Sequence, residues 1–296
     1  MTSTASADST RPASEERFGR PVRSVSPEIA RSWLLVNAMK TELFGESAAS
    51  RADAVILDIE DAVDPSHKGD ARENVSRWLA DGGRAWVRVN DATSPFWADD
   101  LAGLRGNPGL LGVVLAKTES ADQVTESFHR MDGKTPVIPL VESAVGIEEA
   151  NHIAKAQGAF RLAFGSGDFR RDTGMAATPE AMAYPRAKLV VASRVGNLPG
   201  PIDGPTVGTN HPILREQSAI TVMMGMTGKL CLAIDQTTVI NEVISPTPSD
   251  VAWASDFMHD FEASGRVIRD GSDLPRLGRA EKIMKLANAF GVQPAV

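Results

Sequence analysis

Two acids stand near the ends of short apolar runs. Glu142 closes "PVIPLVE" (136–142), and Asp168 lies at the end of "RLAFGSGDF" (161–169). A carboxylate at the tip of an otherwise buried strand needs a cation, a proton or hydrogen-bond donors opposite it. Two strands that end on the same side of one sheet would bring both acids to a shared site. Other charged residues occupy comparable places. Asp58, Glu60, Asp61 and Asp64 follow "ADAVILDIE" or lie in its last residues, and Arg88 and Asn90 lie in "AWVRVN". Lys117 and Glu119 follow "LGVVLA", Arg170 and Arg171 follow Asp168, and Asp203 and Asp235 end later runs. Such an acid-rich rim repels itself unless a cation or protonation offsets it. Oxygen-only donors suit a hard ion such as Mg²⁺, which keeps several waters and takes one or two carboxylates. The five histidines, at 67, 129, 152, 211 and 259, include no pair with zinc-type spacing. Glu142 and Asp168 are therefore expected to be the metal ligands, while Asp64 and Glu119 are expected to cap helices.

Arg88 sits inside "WVRVN", where an unpaired guanidinium is costly to bury. Two roles are open to it. One is a structural salt bridge to an acid of the preceding run. The other, adopted here, is a bidentate clamp on a substrate carboxylate or enolate oxygen.

These residues need elements to position them. Eight apolar runs recur at 32–36, 52–60, 85–90, 111–117, 136–142, 161–169, 199–204 and 229–235. They are continuous rather than alternating, as expected for strands covered on both faces. Helical patterns separate them. "SHKGDARENVSRWLA" puts Ala71, Val75, Trp78 and Leu79 on one face. "ESADQVTESFHRM" opens with residues suited to a helix start. "TPEAMAYPRAKLVVASRVG" offers Thr178 as N-cap, Pro179 at the first position and a kink or interruption at Pro185. Eight strand–helix repeats over roughly 210 residues predict an α/β fold of the (β/α)8 TIM-barrel type. No glycine-rich dinucleotide fingerprint follows the first strand, which disfavours an open doubly wound sheet. Two further amphipathic segments, "TPSDVAWASDFMHDFEASG" and "LPRLGRAEKIMKLANAFG", exceed what a barrel needs. The expected organisation is a disordered tail over 1–26, a barrel over 27–245 and a C-terminal helical extension over 246–296.

The composition of the 296 residues, 42% hydrophobic and 23% charged, is that of a globular chain. The net charge is −7 and the positive residues are scattered, so no nucleic-acid footprint is expected. No run approaches the ~18 apolar residues of a membrane span, and the first residues lack a signal-peptide core. A cytoplasmic protein is the expectation. The single cysteine, Cys231, lies in an apolar run and is expected to be a buried core thiol.

Taken in order, "ADAVILDIEDAV", "VRVN", "GVVLAKTES", "PLVESAVGI", "RLAFGSGDF", "GNLPGPIDG" and "GKLCLA" resemble the citrate lyase beta-subunit-like family of the HpcH/HpaI aldolase superfamily. The resemblance covers about residues 30–290. It implies a (β/α)8 barrel with a C-terminal helical segment, assembled as a homotrimer or homohexamer. It implies a Mg²⁺-dependent lyase that cleaves or forms a C–C bond in 3-hydroxyacyl-coenzyme A thioesters of the citryl, malyl or citramalyl class. Arg88 matches the family's substrate-binding arginine, which also serves catalysis, and Glu142 and Asp168 match its metal-binding acids. Glu142 thereby also borders the substrate. Glu60 and Asp61 match an acidic pair near the metal and its waters. Asp273, in "DGSDLP", matches a base delivered from a neighbouring subunit.

The chain departs from the family pattern in the loops that hold coenzyme A. "VNAMK" replaces V-P-G-N-R, leaving Lys40 as the candidate coenzyme contact, and Ala233 and Ile234 replace His and Pro after the eighth run. After the seventh run Gly208 and His211 stand where two acids are usual, and the loop before Asp273 is two residues shorter. Two alternatives therefore stay open: a coenzyme-independent class II aldolase taking pyruvate or oxaloacetate, and a non-catalytic relative that binds an acidic metabolite.

Overall fold

Continuous apolar strands are stable only where both faces are covered, and the chain meets that demand by closing its sheet. The computed structural model describes residues 25–208 and 210–295. The tail expected over 1–26 thus lies outside the described residues up to residue 24. In chain order, β1 (Ser32–Asn37) leads through α1 (Glu42–Ala49) to β2 (Ala54–Asp58), α2 (Lys68–Ala80), β3 (Ala85–Val89) and α3 (Trp97–Leu104). β4 (Leu110–Leu115), α4 (Ala121–Arg130), β5 (Val137–Val141), α5 (Ala144–Glu148) and α6 (Ala150–Ile153) follow. Then come β6 (Ala163–Phe164), α7 (Ser166–Thr173), α8 (Ala183–Val195), β7 (Ile202–Asp203) and α9 (His211–Met223). β8 (Gly228–Cys231) and α10 (Ile234–Ile244) complete the barrel, and α11 (Pro248–Ala263) and α12 (Asp273–Phe290) extend it. The eight strands are parallel, run in sequence order and close by pairing β8 with β1.

Alternation along each strand divides the apolar residues into two sets. Trp33, Ala54, Ile56, Trp86, Val114, Ile138, Leu140, Ala163 and Leu230 fill the barrel interior. Their neighbours, such as Val55, Leu57, Val87, Val113 and Val141, face the surrounding helices. Trp33 and Trp86 meet edge-on at 5.4 Å, and Trp86 stacks on Phe160. Gly112 makes room for Trp86, because a Cβ there would overlap the indole. Arg161 is buried among them, held by the carbonyls of Pro27, Ala30 and Gly200 and the Thr227 hydroxyl. Burial pushes its guanidinium down to about 9. This packed floor makes the barrel a core rather than a pore, and leaves the opposite, carboxyl end for chemistry.

Three expectations are corrected. The run at 161–169 is a strand only over Ala163–Phe164, because Gly165 breaks it and α7 begins at Ser166. Asp168 is therefore in the first turn of a helix rather than at a strand tip. The helix read from Thr178 starts at Ala183 after a turn over 179–182, which places Pro185 in its first turn, where a missing N–H costs nothing. Glu119 does not cap α4: Ser120 does, in a capping box with Gln123, and Glu119 accepts a 2.5 Å hydrogen bond from Ser143 instead. Asp64 does cap, accepting from the Ser66 N–H at 2.9 Å.

α11 and α12 pack chiefly on each other. Thr247 and Asp250 form a capping box at the start of α11. The far end of α12 meets the barrel floor, where the Arg31 guanidinium lies 4.0 Å over the Phe290 ring. Among the described residues no helix is long and apolar enough to cross a membrane.

Candidate active site at the carboxyl end of the barrel

The inward positions that follow Ile56, Trp86 and Leu140 are 58, 88 and 142. Period two thus carries Asp58, Arg88 and Glu142 onto the open end of the barrel, one layer above the apolar filling. Asp58 and Arg88 lie opposite each other in the β2–β3 register. Their side chains form a bidentate pair, Nε to Oδ1 at 2.7 Å and Nη2 to Oδ2 at 2.6 Å. Both are buried. Burial alone would lower the Arg88 pKa, but Asp58 and then Glu60 outweigh it and hold it above its ordinary value. The edge expected to clamp a substrate is therefore occupied by Asp58. Nη1 faces outward, 3.4 Å from Glu60 Oε2 and 3.8 Å from Asp61 Oδ2.

The turn carrying Glu60 and Asp61 is held on several sides. Asp58 Oδ1 accepts from the Glu60 N–H at 3.0 Å. The buried Lys68 ammonium donates to the carbonyls of Ile59 and Glu60 at 2.8 and 2.6 Å. Burial holds the Glu60 carboxyl above the usual range. At Asp61 burial acts in the same direction, but hydrogen bonding with Glu60 and the charges of Lys117 and Arg88 outweigh it and lower the pKa.

Glu142 follows β5 and is buried. Its Oε1 accepts from the Lys117 N–H at 2.8 Å. Gly165 leaves the space its carboxylate needs, since a Cβ there would overlap Oε2. Burial pushes the Glu142 pKa up to about 8, against the lowering effects of the Lys117 N–H and the Arg88 charge. A carboxylate placed so needs a proton or a cation. Asp168 reaches the same opening from α7. Its Oδ2 is buried and accepts no hydrogen bond. The cations nearest it are Arg171 Nη2 at 3.2 Å and Lys117 Nζ at 3.8 Å. Lys117 itself was visible as a rim residue but not as a hub. Its Nζ pairs with Glu60 and with Asp61, the latter at 3.2 Å. Burial lowers its pKa, but the hydrogen bond with Glu60 and the charges of Glu60, Asp61 and Glu142 outweigh that and raise it.

The donor set fits a hard divalent cation. Glu142 and Asp168 offer oxygen only, and one buried oxygen lacks a donor. Among the described residues no three His, Cys, Asp or Glu side chains form a cage, so water or ligand oxygens must complete any coordination shell. A cavity of about 630 Å³ opens on the Asp58–Arg88 side of the mouth, lined by Asn37, Lys40, Asp61, Arg88, Leu232 and Ile234 among others, and not by Glu142 or Asp168. Lys40 thus shares a cavity with Arg88. Farther round the rim His211 Nε2 and Asp235 Oδ2 lie 3.1 Å apart and join the first turns of α9 and α10.

Asp273 is not part of this cluster within its own chain. Its side chain accepts from the Arg269 backbone N–H at 2.8 Å and from that guanidinium at 3.1 Å, twice. The side-chain bond from Arg269, then the backbone bond, pull its carboxyl down to about 2.

The sequence profile of the HpcH/HpaI aldolase/citrate lyase family matches residues 31–233, and that of the HpcH/HpaI aldolase C-terminal domain matches 249–291. The chain belongs to the HpcH/HpaI aldolase/citrate lyase family. The first match spans β1 to β8, and the second spans the helical hairpin. Among relatives, an L-malyl-CoA/beta-methylmalyl-CoA lyase of Cereibacter sphaeroides is 28% identical, over 83% of this chain and 90% of its own. The mitochondrial citramalyl-CoA lyase of Homo sapiens is 29% identical, over 80% and 79%. Among solved structures, the protein CitE of Mycobacterium tuberculosis in complex with magnesium, acetoacetate and coenzyme A is 26% identical. It superimposes with a TM-score of 0.72, over 88% of this chain and 99% of that one.

Proposed function

We propose that the protein is a Mg²⁺-dependent carbon–carbon lyase acting on a 3-hydroxyacyl-coenzyme A thioester of the malyl, citramalyl or citryl class. The observation that carries this reading is the buried Asp168 Oδ2 without a hydrogen-bond donor, at the same opening as the buried Glu142 carboxylate. Glu142 and Asp168 would hold the ion. When bound, it supplies positive charge to the oxygen that becomes an enolate. Arg88, fixed by Asp58, presents Nη1 to that oxygen without having to reorganise. Glu60 and Asp61 would orient waters beside the ion. The cavity that runs from Arg88 to Lys40 supports a long thioester, with the Lys40 ammonium at the surface to meet a coenzyme phosphate.

Asp273 enters the reading as the base that takes the β-hydroxyl proton, delivered from a second copy of the chain. For that role the grip of Arg269 has to open, because a carboxylate so paired is a weak base.

The test is calorimetric titration with Mg²⁺, then with oxaloacetate, pyruvate, acetyl-coenzyme A and propionyl-coenzyme A, alongside a cleavage assay on malyl- and citramalyl-coenzyme A. Metal-dependent thioester binding with release of a keto acid or glyoxylate supports the lyase. Metal-dependent binding of a free keto acid alone replaces it with the coenzyme-independent aldolase or a metabolite-binding role.

A further inference from the structure

Lys117 touches acids contributed by three separate segments: the turn after β2, the end of β5 and the first turn of α7. Its Nζ pairs with Glu60, with Asp61 at 3.2 Å and with Asp168 at 3.8 Å. Its backbone N–H donates to Glu142 Oε1 at 2.8 Å. The residue adopts φ +47°, a left-handed conformation that side chains other than glycine rarely take. The neighbouring backbone fixes it there, through Ala116 N–H to the Val89 carbonyl and Thr118 N–H to the Leu140 carbonyl. In that conformation one residue aims its amide at one acid and its ammonium at three others. Strain of this kind persists where the surrounding structure determines it, and it clusters at functional sites.

We propose that the Lys117 ammonium is a built-in counter-cation that competes with a divalent cation for Asp168, and so keeps cation binding at Glu142 and Asp168 weak enough to reverse. This rests on the cation reading given above. The physical ground is repulsion. A divalent ion held by Asp168 would be repelled by the Lys117 ammonium, 3.8 Å from Oδ2 and tied to buried acids, and by Arg171, 3.2 Å from the same oxygen but on an exposed side chain where solvent screens it. Glu60 and Asp61 give the displaced ammonium somewhere to stay, so competition weakens binding without abolishing it.

A purely structural Lys117 gives the opposite sign. If the side chain only tied the loops together, its removal would loosen the acids and weaken cation binding. The experiment titrates the full-length protein with Mg²⁺ by calorimetry at low salt, comparing wild type with Lys117→Met, Lys117→Arg and Glu142→Gln. Thermal melts are recorded in chelator and in excess Mg²⁺. The expected result is Mg²⁺ affinity on the order of tenfold higher in Lys117→Met. Lys117→Arg should stay near wild type and Glu142→Gln should lose saturable binding. Lys117→Met should also melt lower than wild type in chelator, with Mg²⁺ closing the gap. Lys117→Gln keeps a donor toward Glu60 and carries the same expectation if the methionine variant does not fold. Saturable wild-type binding that is unchanged or weaker in the Met and Gln variants overturns the counter-cation role alone. No saturable binding in wild type overturns the cation reading and this inference with it.

Discussion

Asp58 and Arg88 are paired partners in the β2–β3 register, and they meet through two hydrogen bonds of 2.7 and 2.6 Å inside the barrel mouth. The pairing answers two needs with one contact. It compensates a buried guanidinium, and it fixes the direction of Nη1 toward Glu60 and Asp61. In the proposed reaction a substrate would meet a guanidinium that is already oriented, which is how fixed charge lowers a barrier most effectively.

Removing either partner should consequently be costly in different ways. Asp58→Ala leaves a buried charge unpaired and should destabilise the protein by roughly 3–5 kcal/mol. Urea unfolding would show a lower midpoint with an unchanged slope. Arg88→Lys keeps the charge but loses the planar fork. It should lower kcat/KM on the thioester by an amount equal to roughly 2–4 kcal/mol, with a smaller effect on folding. Full activity in Arg88→Lys would assign the arginine to structure alone.

The architecture was legible because it is written in hydrophobic pattern, and Glu142 was legible because β5 is a regular strand whose next inward position is 142. Asp168 was expected at a strand tip but lies in the first turn of α7, since two glycines around Ser166 hide the change from strand to helix. The Asp58–Arg88 pair was open as one of two roles. Choosing it requires the register of strands thirty residues apart, which no local signal reports. Lys117 stood in the sequence as a rim cation, but its hub role depends on a left-handed backbone imposed by neighbouring strands. The grip of Arg269 on Asp273 spans only four residues, yet a helix start cannot be told from a catalytic acid by spacing.

Gly165 offers a change that should remove the proposed metal site while sparing the barrel. A methyl group there would overlap the Glu142 carboxylate. Gly165→Ala should turn that side chain away from Asp168 and lower Mg²⁺ affinity at least tenfold. Far-ultraviolet circular dichroism should stay that of the wild type. Retained affinity would mean that Glu142 is not a ligand.

Cys231 tests the core reading. It is buried in β8, and burial pushes its thiol up to about 12. The thiolate is the reactive form, so the native protein should resist alkylation at neutral pH, and modification should follow unfolding. Iodoacetamide labelling across a urea series should track the unfolding curve. Labelling of the folded protein at the rate of a free thiol would contradict the packing.

The acid limb of stability should depend on Asp203. It lies buried beneath the rim with Arg186 Nε at 3.0 Å, Lys229 Nζ at 3.8 Å and the Thr221 hydroxyl at 2.6 Å. Burial raises its pKa, but Lys229 and Arg186, with the Thr221 hydrogen bond, more than offset this and leave it below the ordinary carboxylate value. A depressed pKa in the folded state means that the ionised form is bound more tightly there than in the unfolded chain. The resulting stabilisation is complete above the unfolded value near about 3.9 and is lost as pH falls through the folded value. Urea unfolding of wild type should therefore weaken steeply below about pH 4. Asp203→Asn should be less stable at pH 7, because Arg186 and Lys229 lose their buried partner, and its stability should fall less between pH 5 and pH 3. Parallel curves for the two proteins over that interval would show that Asp203 is not the group that titrates.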